Sequence, residues 1–176
     1  IQREVSTLSG GERARLTLAK LILKKVNWVF IIVVLIGFVI GVLLAMVKIA
    51  PKNNVIIKIL DKIADLYITV IRGTPMLVQL LIMYGVILVS FKSQPTNLVV
   101  PIISFGINSG AYMAEIIRAG IESVDKGQME AARILGLPYG TSMRKVVLPQ
   151  AIRTMIPSII NQFIITLKDT SILSII

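Results

Sequence analysis

An all-α membrane protein with about four membrane-crossing helices is predicted by three features of the sequence. Apolar residues make up 55% of the 176-residue chain and the mean hydropathy is +0.84; soluble domains lie nearer about 45–50% apolar. Residues 28–47 carry no charge, and at about 1.5 Å per residue a helix of that length matches a hydrocarbon core of about 30 Å. The Lys and Arg residues gather in the segments that flank apolar runs, the positive-inside pattern. A formal charge of +10 also raises nucleic acid as a partner, but aromatic residues are few and are not interleaved with the cations, so no nucleic-acid partner is expected. The chain has neither Cys nor His. That excludes Cys-based catalysis and Cys/His metal sites, leaving only carboxylate sites open. No catalytic residue, metal or cofactor of its own is expected.

Taken in order, residues 1–27 form a segment of their own. Ser9, Gly10, Gly11 and Glu12 read as a cap and tight turn opening a helix with mixed apolar and basic faces. It is not a signal peptide, because its cations do not precede a short apolar core with a small-residue cleavage site. The first span, residues 28–47, has Trp28 and Lys48 as interface anchors. Gly37 and Gly41 stand four apart: either a close-packing face for another helix or glycines tolerated in lipid. Pro51, Lys52, Asn53 and Asn54 mark a turn. The next stretch, to Arg72, fits an amphipathic helix lying on the membrane surface, with Lys58, Asp61, Lys62 and Asp65 among isoleucines and leucines.

Arg72, Gly73, Thr74 and Pro75 open a second span over residues 74–91. Pro75 suits a first helical turn, and Gln79, polar inside the span, is expected to face other helices. The short loop 92–97 has a single Lys and reads as outside. A third span, about 98–114, is broken by Pro101, Gly106 and Gly110 and carries Ser104, Asn108, Ser109 and Tyr112. So much polarity calls for protein or water as neighbour; Asn108 and Ser109 either line a pathway or pack helices. Glu115 and Arg118, three apart, are placed to pair. A final span, about 154–167, contains Pro157, Asn161 and Gln162 and should pack inside a bundle. Asp169, Thr170 and Ser171 read as a turn or a new helix start.

Between the third and final spans lies a polar, basic interruption over residues 125–151. A helix-forming run from Met129 to Leu135 is followed by Gly136, Pro138 and Gly140, which reads as helix, break, second helix. A structured loop between spans is expected to dock a cytoplasmic partner. Lys52, Lys58, Lys62 and Arg72 after the first span, and Arg133, Arg144, Lys145 and Arg153 around the interruption, place both segments inside. Alternation then puts residues 1–27 outside, yet they carry Arg3, Arg13, Arg15, Lys20, Lys24 and Lys25. The expectation is that this segment did not evolve with the spans that follow.

Three motifs between residues 28 and 176 resemble the membrane-spanning permease subunit of ABC importers for polar amino acids. Arg72-Gly73-Thr74-Pro75-Met76-Leu77-Val78-Gln79 is similar to the R-G-T-P-x-L-V-Q opening of that family's second span. Tyr112-Met113-Ala114-Glu115-Ile116-Ile117-Arg118-Ala119-Gly120-Ile121 is similar to its Y-x-A-E-x-x-R-[AG]-[GA]-I. Glu130-Ala131-Ala132, then Gly136, then Leu148-Pro149 resembles the E-A-A loop, with Val146 in the place of an Ile. Lys168-Asp169-Thr170-Ser171 looks like the K-D-T-S before the family's fifth span. The resemblance implies the type I importer fold, multi-pass in the bacterial cytoplasmic membrane. Its implied partners are an ATPase subunit that binds the ATP, a second permease subunit, identical or not, an extracytoplasmic amino-acid-binding protein, and membrane lipid. In that picture residues 125–151 are the coupling element. Glu130 caps or pairs locally, Gly136 allows the turn, and Arg133, Arg144 and Lys145 either meet acidic groups on the ATPase or serve positive-inside retention. The resemblance also implies a chain cut short after residue 176.

Residues 5–21 resemble the signature segment of ABC ATPase domains of the ABC-F type, where the equivalents of Ser9, Gly10 and Gly11 hold a nucleotide γ-phosphate at a helix N-terminus. No G-x-x-x-x-G-K-[ST] phosphate loop occurs in the chain, and residues 28–37 run apolar where the ATPase needs its Asp-Glu. The segment is therefore expected to be inactive in nucleotide chemistry, and a foreign or chimeric addition. Two other functions follow from that segment: a membrane-tethered ATPase-related regulator, or a nonfunctional chimera.

Overall fold

In the computed structural model the backbone of residues 10–91 and 99–171 is described, and the side chains of residues 28–86 and 99–170. Ser9 and the expected outer loop 92–97 lie outside the described residues. The described chain is helical: α1 (Gly10–Ile49), α2 (Val55–Gly73), α3 (Met76–Phe91), α4 (Val99–Glu122), α5 (Lys126–Ile134), α6 (Tyr139–Ser142), a π-helical stretch (Met143–Val147) and α7 (Leu148–Ser171). Helix α1 runs without a break across residue 27.

Helix α4 is the hub against which α1, α2, α3 and α7 pack. Its small residues allow this. A Cβ on Gly37 of α1 would lie 2.5 Å from Ser109 Oγ, and one on Gly41 2.6 Å from Met113 Cβ. In return, a Cβ on Gly106 or Gly110 of α4 would lie 2.7 or 2.6 Å from the Cγ2 of Ile36 or Ile40. Two small-xxx-small faces thus interlock, each glycine receiving the other helix's side chain. Ser109 is buried in this seam against Gly37. Val29, Val33 and Phe105 form the buried apolar cluster beside it.

Local chemistry sets the bends. Asn54 caps α2, accepting from the Ile56 N–H at 3.1 Å. At the other end Pro75 bars helical geometry for the residue before it, so Thr74 is extended (φ −113°, ψ 143°) and α3 leaves α2 at 107°. Helix α2 differs from the expected surface helix in one respect. Asp61 is buried, 7% exposed, with Ala64 and Ile68 on the inward face, while Ile59, Ile63, Leu66 and Val70 point outward. Asp61 is neutralised by Lys48 at 3.2 Å and Lys52 at 2.5 Å, and Lys48 also reaches Asp65 at 2.5 Å. The ion pairs join the end of α1 and the turn after it to α2, and the apolar face is left exposed.

Three expectations are corrected. By length and composition, two described helices can cross a membrane, residues Trp28–Ile49 and Val99–Glu122, or three if the bent pair α2–α3 is one span. The expected count of about four also included α3, which is 16 residues long, and α7. Residues Asp169, Thr170 and Ser171 are not a turn but the last turn of a continuous α7 that begins at Leu148. Within it Gln162 is buried as expected, but Pro157 and Asn161 are exposed.

Candidate functional site

Residues 125–151 fold as a protruding helix–turn–helix. Asp125 opens α5, its carboxylate accepting from the Gly127 N–H at 2.7 Å. Glu130 was expected to cap or pair; its side chain instead stands exposed, without a hydrogen bond or ion pair among the described residues. Helix α5 ends in a left-handed cap. Gly136 has φ +82°, its N–H donates to Arg133 O at 3.0 Å, and the Leu137 N–H donates to Ala132 O at 3.2 Å. This is the Schellman arrangement that glycine permits without strain.

After the short α6, the chain widens into the π turn over Met143–Val147. Pro149, just beyond, has no N–H for the Lys145 carbonyl and its ring would press on it; the wide turn falls where that conflict arises. The root of the loop is tied twice. Ser123 Oγ meets Thr154 Oγ1 at 3.1 Å, and Gln150 Nε2 donates to Gln128 Oε1 at 3.3 Å. Ala132, Ser142 and Val147 are buried under the loop, whereas Glu130, Ala131, Arg133, Gly136, Arg144, Lys145 and Pro149 are exposed and Leu148 is half-buried. The sequence reading missed Ile134 and Leu135, 85% and 81% exposed at the tip. Two large apolar side chains directly before the helix-ending glycine were the available signal.

A second cluster sits at the α2–α3 bend. Gln79 Nε2 lies 2.7 Å from Ile71 O, 3.1 Å from Thr74 O and 2.7 Å from Thr74 Oγ1, while Thr74 Oγ1 donates to Val70 O at 2.8 Å. The last carbonyls of α2 are thereby satisfied. Asn108 Nδ2 donates to Gln79 Oε1 at 3.2 Å, so Gln79 does face another helix. Arg72 lies over the Tyr112 ring at 5.3 Å and 3.8 Å from Glu115. Glu115 pairs more closely with Arg118, whose Nε donates to it at 3.0 Å, and Arg118 also holds Glu122. The expected Glu115–Arg118 pair is present within a larger network.

Two clefts stack along the α4–α7 seam. The one nearer the loop, about 310 Å³, is bounded by Ile116, Ser123, Thr154 and Ser158; the farther one, also about 310 Å³, by Thr74, Asn108, Gln162 and Asp169. Tyr112, Gln162 and Asp169 escaped the site list drawn from the sequence, because only the packing of α4 against α7 brings them together.

This arrangement has close parallels. The family described as binding-protein-dependent transport system inner membrane component matches residues 37–176. The chain belongs to this family. Its members are membrane transport components rather than an enzyme class. A Rickettsia prowazekii protein named for glutamine transport, the permease GlnP, is 42% identical over 146 residues, covering 83% of this chain and 65% of that protein. The arginine transport system permease ArtQ of Bacillus subtilis is 38% identical over 148 residues, 84% and 65% of the two chains. The chain thus spans 65% of the length of these relatives. An amino acid ABC transporter solved with histidines superposes with a TM-score of 0.79 at 37% identity, over 96% of this chain and 77% of that one. The MetNI methionine ABC transporter, at 20% identity and a TM-score of 0.68 over 95% and 74%, shares the fold. The type I importer permease fold expected from the sequence is the one observed. The family match begins after residues 1–27, so it carries no statement about Ser9, Gly10 and Gly11.

Proposed function

We propose that this chain is the permease part of an ABC importer for polar amino acids in the bacterial cytoplasmic membrane. A separate ATPase binds the ATP and docks on residues 125–151, a second permease copy or homologue completes the pathway, and an extracytoplasmic binding protein delivers the cargo. The observation that carries this reading is the coupling loop itself. A short helix closed by Gly136, with Ile134 and Leu135 exposed at its tip, is rooted through Ser123–Thr154 on the two helices that bound the clefts. A rigid body of this kind transmits a push from a partner into the membrane helices.

The farther cleft suits a zwitterion. It offers Arg72 to a carboxylate, Asp169 to an ammonium group, and the amides of Asn108 and Gln162 to either. Its volume falls in the range of small-molecule sites, about 300–1,000 Å³.

Co-expression of the full-length permease with its genomic-neighbour ATPase and binding protein, followed by reconstitution, tests the proposal. Uptake of labelled glutamine, arginine or cystine should require both ATP and the binding protein. An ATPase that does not co-purify, or uptake that ignores ATP, contradicts it. The finer reading of residues 1–27 as an inactive ATPase-signature-like segment rests on its residues and on the missing phosphate loop. A fluorescent ATP analogue should not bind the chain alone; saturable binding would favour the regulator instead.

A further inference from the structure

We propose that Arg72, stacked on Tyr112 and paired with Glu115, is a gate dividing the α4–α7 passage into two chambers. This rests on reading the chain as a permease. Arg72 and Tyr112 are the residues shared by the walls of both clefts. The clefts follow one another along the same seam, residues 116–123 facing 154–158 in one and residues 108–112 facing 162–169 in the other. The guanidinium and the ring together form the partition between them.

The partition is built to move. Arg72 is the loosely held member of its ion-pair network, 3.8 Å from Glu115 and 40% exposed, whereas Arg118 takes Glu115 through two of its nitrogens. Arg72 also stands next to Gly73 and the extended Thr74, where α2 meets α3 at 107°. A change in that bend shifts Arg72 against α4. A shift of α4 moves Glu115 and Tyr112 under it, and α4 leads directly into the coupling loop at Asp125. One short path therefore links the loop to the partition, through Glu122, Arg118 and Glu115.

The chain has no cysteine, so single-thiol labelling is clean. Gln162→Cys, at a buried position, reports on the farther cleft and Ser158→Cys on the nearer one. The full chain, co-expressed with its ATPase, is labelled in inside-out membrane vesicles with a membrane-impermeant cationic thiosulfonate. The thiol at 158 should react whatever stands at 72, which also reports correct insertion. The thiol at 162 should be protected when Arg72 is present and react about tenfold faster or more with Arg72→Ala, as a largely closed site becomes largely open. Glu115→Gln, which keeps the shape and removes the ion pair, should accelerate it in the same direction. Equal reactivity at 162 in all three backgrounds overturns the gate while leaving the permease reading intact. A thiol at 158 that reacts only from the opposite membrane face overturns the orientation, and the gate with it.

Discussion

Asn108 of α4 donates to Gln79 of α3 across 3.2 Å, and the amide nitrogen of the same Gln79 satisfies the last carbonyls of α2. One glutamine thus joins three helices at a 107° bend. Gln79→Leu leaves Ile71 O and Thr74 O without that donor and should cost about 1–3 kcal/mol, whereas Asn108→Leu removes a single neutral hydrogen bond worth about 0.5–1.5 kcal/mol. Thermal unfolding in detergent, followed by the fluorescence of the single tryptophan, Trp28, should rank Gln79→Leu below Asn108→Leu. The reverse order contradicts the capping role.

The glycines of the α1–α4 seam should respond differently from glycines elsewhere. Gly37→Val and Gly110→Val place atoms where Ser109 and Ile40 already lie, and overpacking of this kind costs about 1–3 kcal/mol. Gly85 in α3 has nothing within 4 Å of an added Cβ. Gly85→Ala should therefore be neutral or stabilising by up to about 0.5–1 kcal/mol through helix propensity. Similar melting temperatures for all three variants contradict the seam.

At Gly136 the backbone, not space, is limiting. Nothing lies within 4 Å of an added Cβ, but φ is +82°. Gly136→Ala should cost about 1–2 kcal/mol for the left-handed conformation, and Gly136→Asn less. Gly136→Pro, whose φ is held near about −65°, should break the cap and abolish ATPase co-purification while membrane insertion persists. Normal co-purification of Gly136→Pro sinks the coupling assignment.

The tip of the loop separates folding from docking. Ile134 and Leu135 are exposed in the isolated chain, so Ile134→Asp and Leu135→Asp should shift its melting by no more than a surface change, within about 0.5 kcal/mol. Each should weaken ATPase co-purification, because buried apolar anchors dominate interfaces. A variant that binds the ATPase normally removes that side chain from the interface.

Much of the site was legible in the sequence because it depends on near neighbours. The Gly136 turn, the Thr74–Pro75 break, the Asn54 turn and the Glu115–Arg118 pair each follow from residues within one or two turns of each other. Less legible were features that needed two helices. One local feature also differed from the expectation: Asp125 rather than Glu130 caps α5, because a cap must precede the first turn. The burial of Ser109 came into view only with Gly37 packed against it. Tyr112 gained its cationic neighbour only when the α2–α3 bend laid Arg72 over its ring.

The sequence by itself determined the class of solvent and the places where the backbone must turn. Uncharged length, proline and glycine are enough for those. Only the tertiary structure decided which face of each helix meets protein. In a bilayer the lipid is as apolar as a leucine, so hydrophobic patterning no longer separates inside from outside. Helix α2 makes the point: its isoleucines point away from the bundle and its Asp61 points in. Contacts such as Lys48–Asp61 and Gln79–Asn108 tie one helix to another instead.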